Sequence, residues 1–335
     1  MRANTDIDIR LVATLDRCEV YRGQVFHDGH LWEGHSAGGV DDYRLDVHDA
    51  HGAAVLASAA VPHTLEFLYP FGPGAILVVG KHHTRRHGWL TYHSTARFRH
   101  GRLAVTTRAM PVHLQVEQFG GRPGLMFFNE TGSRRVFRWT GFRAIPFDHD
   151  IRMPGTILAL PGCLFVLERN RICPGAENIA RIDLPTGRIE RTFTTPRNRL
   201  ATLVALEGCP WIAAVESWAD QVLLVDALTN TLAAVLAAPG TPMDAVQVGR
   251  HLLVVSRAPK RLRFFDLHTA GVPQVAEWDL AGLGDDFANI TTMHADPWTG
   301  NIFLRSPFHP AVDGNTPAVK MVAAAGPLDG LGPTG

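Results

Sequence analysis

Short apolar runs with a polar exit recur along the entire chain, and this periodicity restricts the fold more than any single motif does. The runs read LWEGHS (31–36), LVVGKHH (77–83), MFFNETG (126–132), LFVLERN (164–170), IAAVESW (212–218), LLVVSRA (252–258) and IFLRSPF (302–308). Their fifth column holds His35, Lys81, Glu130, Glu168, Glu216, Ser256 and Ser306, at intervals of roughly 45 residues. Before most runs stands another short apolar stretch and a tight turn, as in ILALPG (157–162), LVALEG (203–208) and AVQVGR (245–250). Glycine suits the positive φ of such hairpin turns. After each run comes a third strand and often a fourth, as in ARIDLPTGRIERTF (180–193) and LLVDALTNTLAAVL (223–236). Pro, Thr, Gly and Asn separate them, as strand-bounding loops require.

Four strands per unit, seven units and no long helical period predict an all-β chain. The architecture that fits is a seven-bladed β-propeller of four-stranded antiparallel blades. A two-sheet sandwich would not need so regular a spacing. PAVKMVAAA (317–325) supplies only a third strand to the last blade, and IDIRLVATLD (7–16) alternates as its missing outer strand. An N-terminal strand closing the last blade removes an open edge. Residues 1–325 are therefore expected to form a single propeller domain, with 326–335 as a loose tail.

The charge balance narrows the partners. Lysine plus arginine equals aspartate plus glutamate at 32 each. That leaves no global basic field for nucleic acid or an anionic membrane. MRANTDIDIRLVATLD has no apolar core of signal-peptide length, and no run approaches the roughly 18 apolar residues of a membrane helix. The expectation is a soluble, cytoplasmic protein. Cys18, Cys163, Cys173 and Cys209 form no CxxC pair and read as reduced thiols, with a Cys163–Cys173 disulfide left open. The 17 histidines are the unusual count; they can gain charge at mildly acidic pH.

In IAAVESWADQVLLVDALTNTL (212–232) the pattern resembles the strand, loop, strand, ID-x-x-TG blade of YVTN/NHL-like bacterial propellers. Locally, GQVFHDGHLWEG (23–34) and PWIAAVESWADQVLLVD (210–226) are similar to blades of plant-type glutaminyl cyclases. That second resemblance implies a catalytic carboxylate at Glu33. It departs where the family's Asn-Val-Trp-Gln stretch is replaced by Ala214-Val215-Glu216-Ser217.

In a propeller the starts of the inner strands and the exits of the second strands converge on one mouth of the central channel, the default ligand site. Residues placed there by the repeat form a histidine-rich side and an acidic side. His35, His82, Glu130, Glu168 and Glu216 are the candidate acid–base groups. Arg169, Trp218, Asp244, Arg257 and Arg305 are the candidate substrate-binding groups. His35, His82 and His113 are candidate ligands for a divalent metal ion assembled from separate blades. KHHTRRHG (81–88) is expected to be a loop at this mouth. There is no GxSxG elbow, no phosphate loop and no dinucleotide fingerprint. Two functions stay open. One is an enzyme of lyase, cyclase or hydrolase type acting on a small molecule. The other is a non-catalytic propeller that binds a protein or ligand.

Overall fold

The structure, a computed structural model, describes residues 8–15, 23–36, 42–49, 54–65, 67–84, 88–109, 116–122, 125–130, 135–139, 144–146, 151, 154–168, 178–193, 200–280, 292–295, 301–305 and 319–325. These residues contain no α-helix. The chain divides into two compact units, one of Glu19–Asp49 and Ala54–Pro196, the other of Met1–Cys18, Ala50–Ala53 and Arg197–Gly335.

Strand β1 (Asp8–Leu15) opens the chain and belongs to the second unit. The first unit holds four sheets of consecutive strands: β2 (Gly23–His27), β3 (His30–Ser36), β4 (Tyr43–His48) and β5 (Val55–Val61); β6 (Phe67–Gly72), β7 (Ala75–Thr84), β8 (Gly88–Arg99) and β9 (Arg102–Ala109); β10 (Val116–Arg122), β11 (Leu125–Glu130), β12 (Arg135–Trp139) and β13 (Ala144–Pro146); β14 (Pro154–Leu160), β15 (Cys163–Glu168), β16 (Asn178–Asp183) and β17 (Ile189–Phe193). The second unit holds β18 (Leu200–Ala205), β19 (Trp211–Glu216), β20 (Gln221–Asp226) and β21 (Leu232–Ala237), then β22 (Pro242–Val248), β23 (His251–Arg257), β24 (Lys260–Asp266) and β25 (Gln274–Asp279). Its third sheet joins β26 (Thr292–Ala295), β27 (Asn301–Arg305) and β28 (Val319–Ala325) to β1, which pairs antiparallel with β28 from Asp8↔Ala325 to Leu15↔Val319. The alternation of 7–16 thus places that segment where the sequence pattern had it.

The periodic apolar runs become the second strand of each sheet. Burial on both faces explains why they are near-continuous in Leu, Val and Ile rather than alternating. In β23 every residue except Arg257 is buried. Leu252 and Val254 pack in one layer with Ala213, Val215, Val222 and Leu224. Leu253 and Val255 point the other way, into a layer with Met293, Ile302 and Leu304. The period-2 side-chain direction of a strand therefore links the β22–β25 sheet to both of its neighbours within the unit. In the first unit, Trp32, Leu45 and Val47 meet Ile76 and Val78 in the same fashion.

The turns between third and fourth strands repeat a device. Asp183 accepts from Thr186 N at 2.9 Å, Asp226 from Thr229 N at 2.8 Å, and Asp266 from Thr269 Oγ1 at 2.8 Å. Each aspartate closes a D-x-x-T turn with its own side chain, supplying the turn with the hydrogen bonds that its backbone lacks. Hydrogen bonds from the Thr186 hydroxyl and N–H hold the Asp183 carboxyl below the usual range, and that from Thr229 N does the same for Asp226. For Asp266 the hydrogen bond from Arg250 contributes most to the same effect.

One boundary differs from the sequence reading. KHHTRRHG is not a loop throughout, because Lys81 pairs with Thr91, His82 with Leu90, His83 with Trp89 and Thr84 with Gly88. The hairpin runs on past Gly80, and only 85–87 lie outside the described residues. Its root is pinned by Thr64, whose N–H donates to Lys81 O (2.9 Å) and whose Oγ1 accepts from Lys81 N (2.7 Å).

Candidate functional site

Four residues of the repeat's fifth column, His35, Glu168, Glu216 and Ser256, lie at or next to the ends of their second strands and are buried. In the first sheet, β3 and β4 place Glu33 directly opposite Asp46, with His48 and His35 diagonal to them. All four are buried, Glu33 at 0%, His48 at 1%, Asp46 at 3% and His35 at 4% exposure. His35 Nε2 lies 2.9 Å from Asp46 Oδ2, and His48 Nε2 lies 3.0 Å from Glu33 Oε2. Each imidazole donates to a carboxylate, so two facing acids are each matched by a histidine. His35 is thereby engaged inside its own sheet. Neither His48 nor Asp46 is among the candidate residues of the sequence analysis. The x-D-x-H alternation of YRLDVH, read against x-E-x-H in LWEGHS, is the signal that pairs them.

An imidazole relay joins the segment after β5 to the second sheet. His63 is 0% exposed; its Nδ1 lies 2.7 Å from Thr64 O and its Nε2 2.7 Å from Ser94 Oγ. A carbonyl only accepts, so Nδ1 carries the proton and Nε2 accepts from Ser94. Ser94 Oγ is in turn 2.7 Å from Thr107 Oγ1, which then donates to it. Burial holds the His63 pKa down to about 4, against the hydrogen bond to Thr64 that raises it. Tyr92 stacks on His63 at 6.1 Å and meets the half-buried His82 edge-on at 6.0 Å. His93 is buried against Trp139 at 4.9 Å, and burial lowers its pKa to about 4 as well. A Ser–His contact at this distance has the geometry of an activated nucleophile. Ser94 is itself 0% exposed and the imidazole is a weak base, so the relay is a structural one.

The glutamates are likewise engaged. Arg191 grips Glu168 with Nε to Oε2 at 2.9 Å and Nη2 to Oε1 at 3.1 Å. Glu216, 0% exposed, accepts from Gln221 Nε2. Ser256, equivalent in the sixth repeat, accepts from Arg263 Nη1 at 2.8 Å. His113 and Arg169 lie outside the described residues, as do the side chains of Glu130 and Arg305. Among the described residues no three His, Cys, Asp or Glu side chains form a metal-binding group. Cys163 is a free, buried thiol.

Three expected ligand-binding residues fall together in the second unit. Thr241 and Pro242, which lead into β22, clamp two hairpins. Ser217 Oγ donates to Pro242 O at 2.7 Å, and Thr241 N donates to Asp220 Oδ1 at 2.7 Å. From the other hairpin, Arg257 N donates to Thr241 O at 3.0 Å. The clamped tips display Trp218, 64% exposed, together with exposed Arg257 and half-buried Lys260. Two residues along, Asp244 accepts from Ala245 N (2.9 Å) and from Met293 N of β26 (2.8 Å). Asp244 keeps part of its surface exposed, yet the surrounding protein desolvates the carboxyl. That desolvation pushes its pKa up to about 7, against both backbone hydrogen bonds.

No known protein family matches the chain, and no curated protein matches it. Two solved structures are similar in fold. The Dos1 propeller aligns over 91% of this chain and 78% of its own, at 10% identity and a TM-score of 0.57. BamB from Moraxella catarrhalis aligns over 91% of this chain and 85% of its own, at 12% identity and a TM-score of 0.51. With the antiparallel four-stranded sheets, these likenesses identify the fold as a β-propeller.

Proposed function

We propose that this chain is a binding platform: a seven-bladed propeller that engages a partner protein through the hairpin face bearing Trp218 and Arg257. The blade count rests on the seven four-stranded sheets of the described residues, the last of them completed by the pairing of β1 with β28, and the reading takes 1–325 as one domain. The D-x-x-T turns agree with a YVTN/NHL-like blade. No helix of the described residues is long and apolar enough to cross a membrane, and the reading places the protein in the cytoplasm.

The exposure of Trp218 carries this reading. An indole 64% open to water at the tip of a clamped hairpin contributes little to the core. Carried on a hairpin that Ser217 and Asp220 tie to the Thr241–Pro242 segment, which also holds Arg257 N, it has the residue chemistry of an interface anchor. The partner would offer an apolar pocket for the indole and acceptors for Arg257. By contrast, His35, Glu168 and Glu216 are buried in pairs within their own sheets. Once a stoichiometric partner is captured, Trp218→Ala is expected to weaken its binding about 10-fold or more, with an unchanged melting temperature. Equal affinity for both proteins would remove Trp218 from the interface and the platform reading with it.

Asp244 favours a second reading, an enzyme acting on a small molecule. A carboxyl that titrates near neutrality, on a residue that keeps part of its surface exposed, can both give and take a proton at working pH. In this reading turnover of cyclisable or hydrolysable small substrates falls on the order of 100-fold in Asp244→Asn, along with the limb of the pH profile near 7. Turnover that survives the substitution excludes Asp244 as the acid–base group.

A further inference from the structure

The outer strand of each sheet presents a row of backbone donors and acceptors at an open edge, and protein surfaces usually blunt such edges with charge or proline. Most of the outer strands here do so. β1 carries Asp8 and Arg10, β9 Arg102 and Arg108, β17 Glu190 and Arg191, and β25 Glu277 and Asp279; three-residue β13 ends in Pro146. β5 has no charge of its own, but Arg44 lies along it with Nε 3.2 Å from Ser58 Oγ.

β21 is the exception. Its sequence is LAAVLA, and the neighbouring β20 reads VLLV between Gln221 and Asp226. Asp226 is turned into its own D-x-x-T turn, accepting from Leu228 N and Thr229 N. A register shift adds to the effect. Val225 pairs with Leu232, whereas Leu224 pairs with Ala234 and Leu223 with Val235, so Ala233 is the extra residue of a bulge. Without it, Leu232 and Val235 would point to opposite faces. With it, both share the face of Leu223 and Val225. Leu232 is 52% exposed, Val235 50%, and Leu228 on the preceding turn 76%.

We infer that β21 is a self-association edge, on which a second copy of this chain docks by antiparallel β21–β21 pairing across a two-fold axis. Charge decides for a second copy. An uncharged strand laid against itself meets no like-charge pair, whereas β9 with its two arginines and β25 with its two carboxylates would set like charges side by side. The antiparallel arrangement is self-complementary and closes at two chains, so it gives a dimer instead of a fibre. It also continues the apolar strip of Leu232 and Val235 from one copy into the other, covering side chains that the bulge aligns.

The test is the mass of the full chain by sedimentation velocity over a range of micromolar concentrations. The expected mass is twice that of the chain. Val235→Lys should raise the dissociation constant 10-fold or more and give monomer, while Leu56→Lys, the same change on β5, leaves the dimer intact. Amide exchange of the unaltered protein gives an independent readout should Val235→Lys fold poorly: protection of β21 amides should rise with concentration. Monomer at every concentration, a dimer indifferent to Val235→Lys, or β21 exchange independent of concentration each overturns the inference. The first of these leaves the edge to a strand from another protein.

Discussion

Gly80→Ala is expected to destabilise the protein by at least about 3 kcal/mol and to lower its melting temperature by on the order of 10 °C. A Cβ at this position would lie 1.6 Å from Thr64 O, 2.5 Å from Thr64 C and 2.8 Å from His63 Nδ1. The obstacle is backbone, so no rotamer change relieves it. The segment carrying His63 and Thr64 would have to move off β7. That movement breaks the two hydrogen bonds between Thr64 and Lys81 and draws His63 away from Ser94. His63 and Ser94 are 0% exposed, so water cannot replace the lost partners, and each orphaned group costs about 1–3 kcal/mol. Gly101→Ala provides the comparison. Its φ of +73° is strained for alanine, but nothing lies within 4 Å of its Cβ. The expected loss there is about 1 kcal/mol. Urea unfolding of the two variants measures the difference, and equal midpoints would mean that the 62–65 segment yields to a methyl group at no cost.

Much of this architecture is written in the sequence because it follows from burial on two faces. A strand covered on both sides reads as a near-continuous apolar run, and runs of that kind at regular spacing are visible without coordinates. The D-x-x-T turns are equally local, as a side chain closing its own turn needs no distant partner. The polar partners are another matter. Glu168 stands beside Arg169 in sequence, yet it is held by Arg191 on β17, two strands away across β16. His63 and Ser94 lie 31 residues apart and meet because one links two sheets and the other sits in β8. Such pairs depend on strand register, and a one-residue slip turns every side chain to the opposite face. The same uncertainty made a rim out of residues that the sheets bury, such as His35 and Glu216. The exposure of Trp218 has a local cause: a large aromatic just beyond the exit of a strand has no neighbouring strand residue to cover it.

Acid should uncover the His63 relay. The imidazole has an ordinary value of 6.5 and a folded value of about 4, so between those pH values the unfolded chain binds a proton that the folded chain refuses. Stability from this group is complete above pH 6.5 and is lost as the pH falls towards 4. The loss amounts to about 2 kcal/mol at a pH of about 5 and about 3 kcal/mol once the folded-state imidazole titrates. His93 acts in the same direction, being lowered to about 4 by burial. Asp244 acts against them. Its folded value is raised to about 7 from 3.8, so it weakens the fold as the pH rises through that range and restores stability as the pH falls. The total slope of the wild-type protein therefore mixes opposing contributions, and a comparison isolates one of them. His63→Asn keeps a donor for Thr64 O and removes the titrating group. It should be less stable than wild type at neutral pH, by a gap that narrows by about 2 kcal/mol at a pH of about 5. The D-x-x-T aspartates stay out of this window, because their carboxyls are held below 3.8 and lose their contribution only in stronger acid. Denaturant titrations of both proteins at the two pH values provide the measurement. A gap that stays constant would show that His63 takes up its proton in the folded state as readily as in the unfolded one, and the donor–acceptor order from Thr107 through Ser94 to His63 would then be wrong.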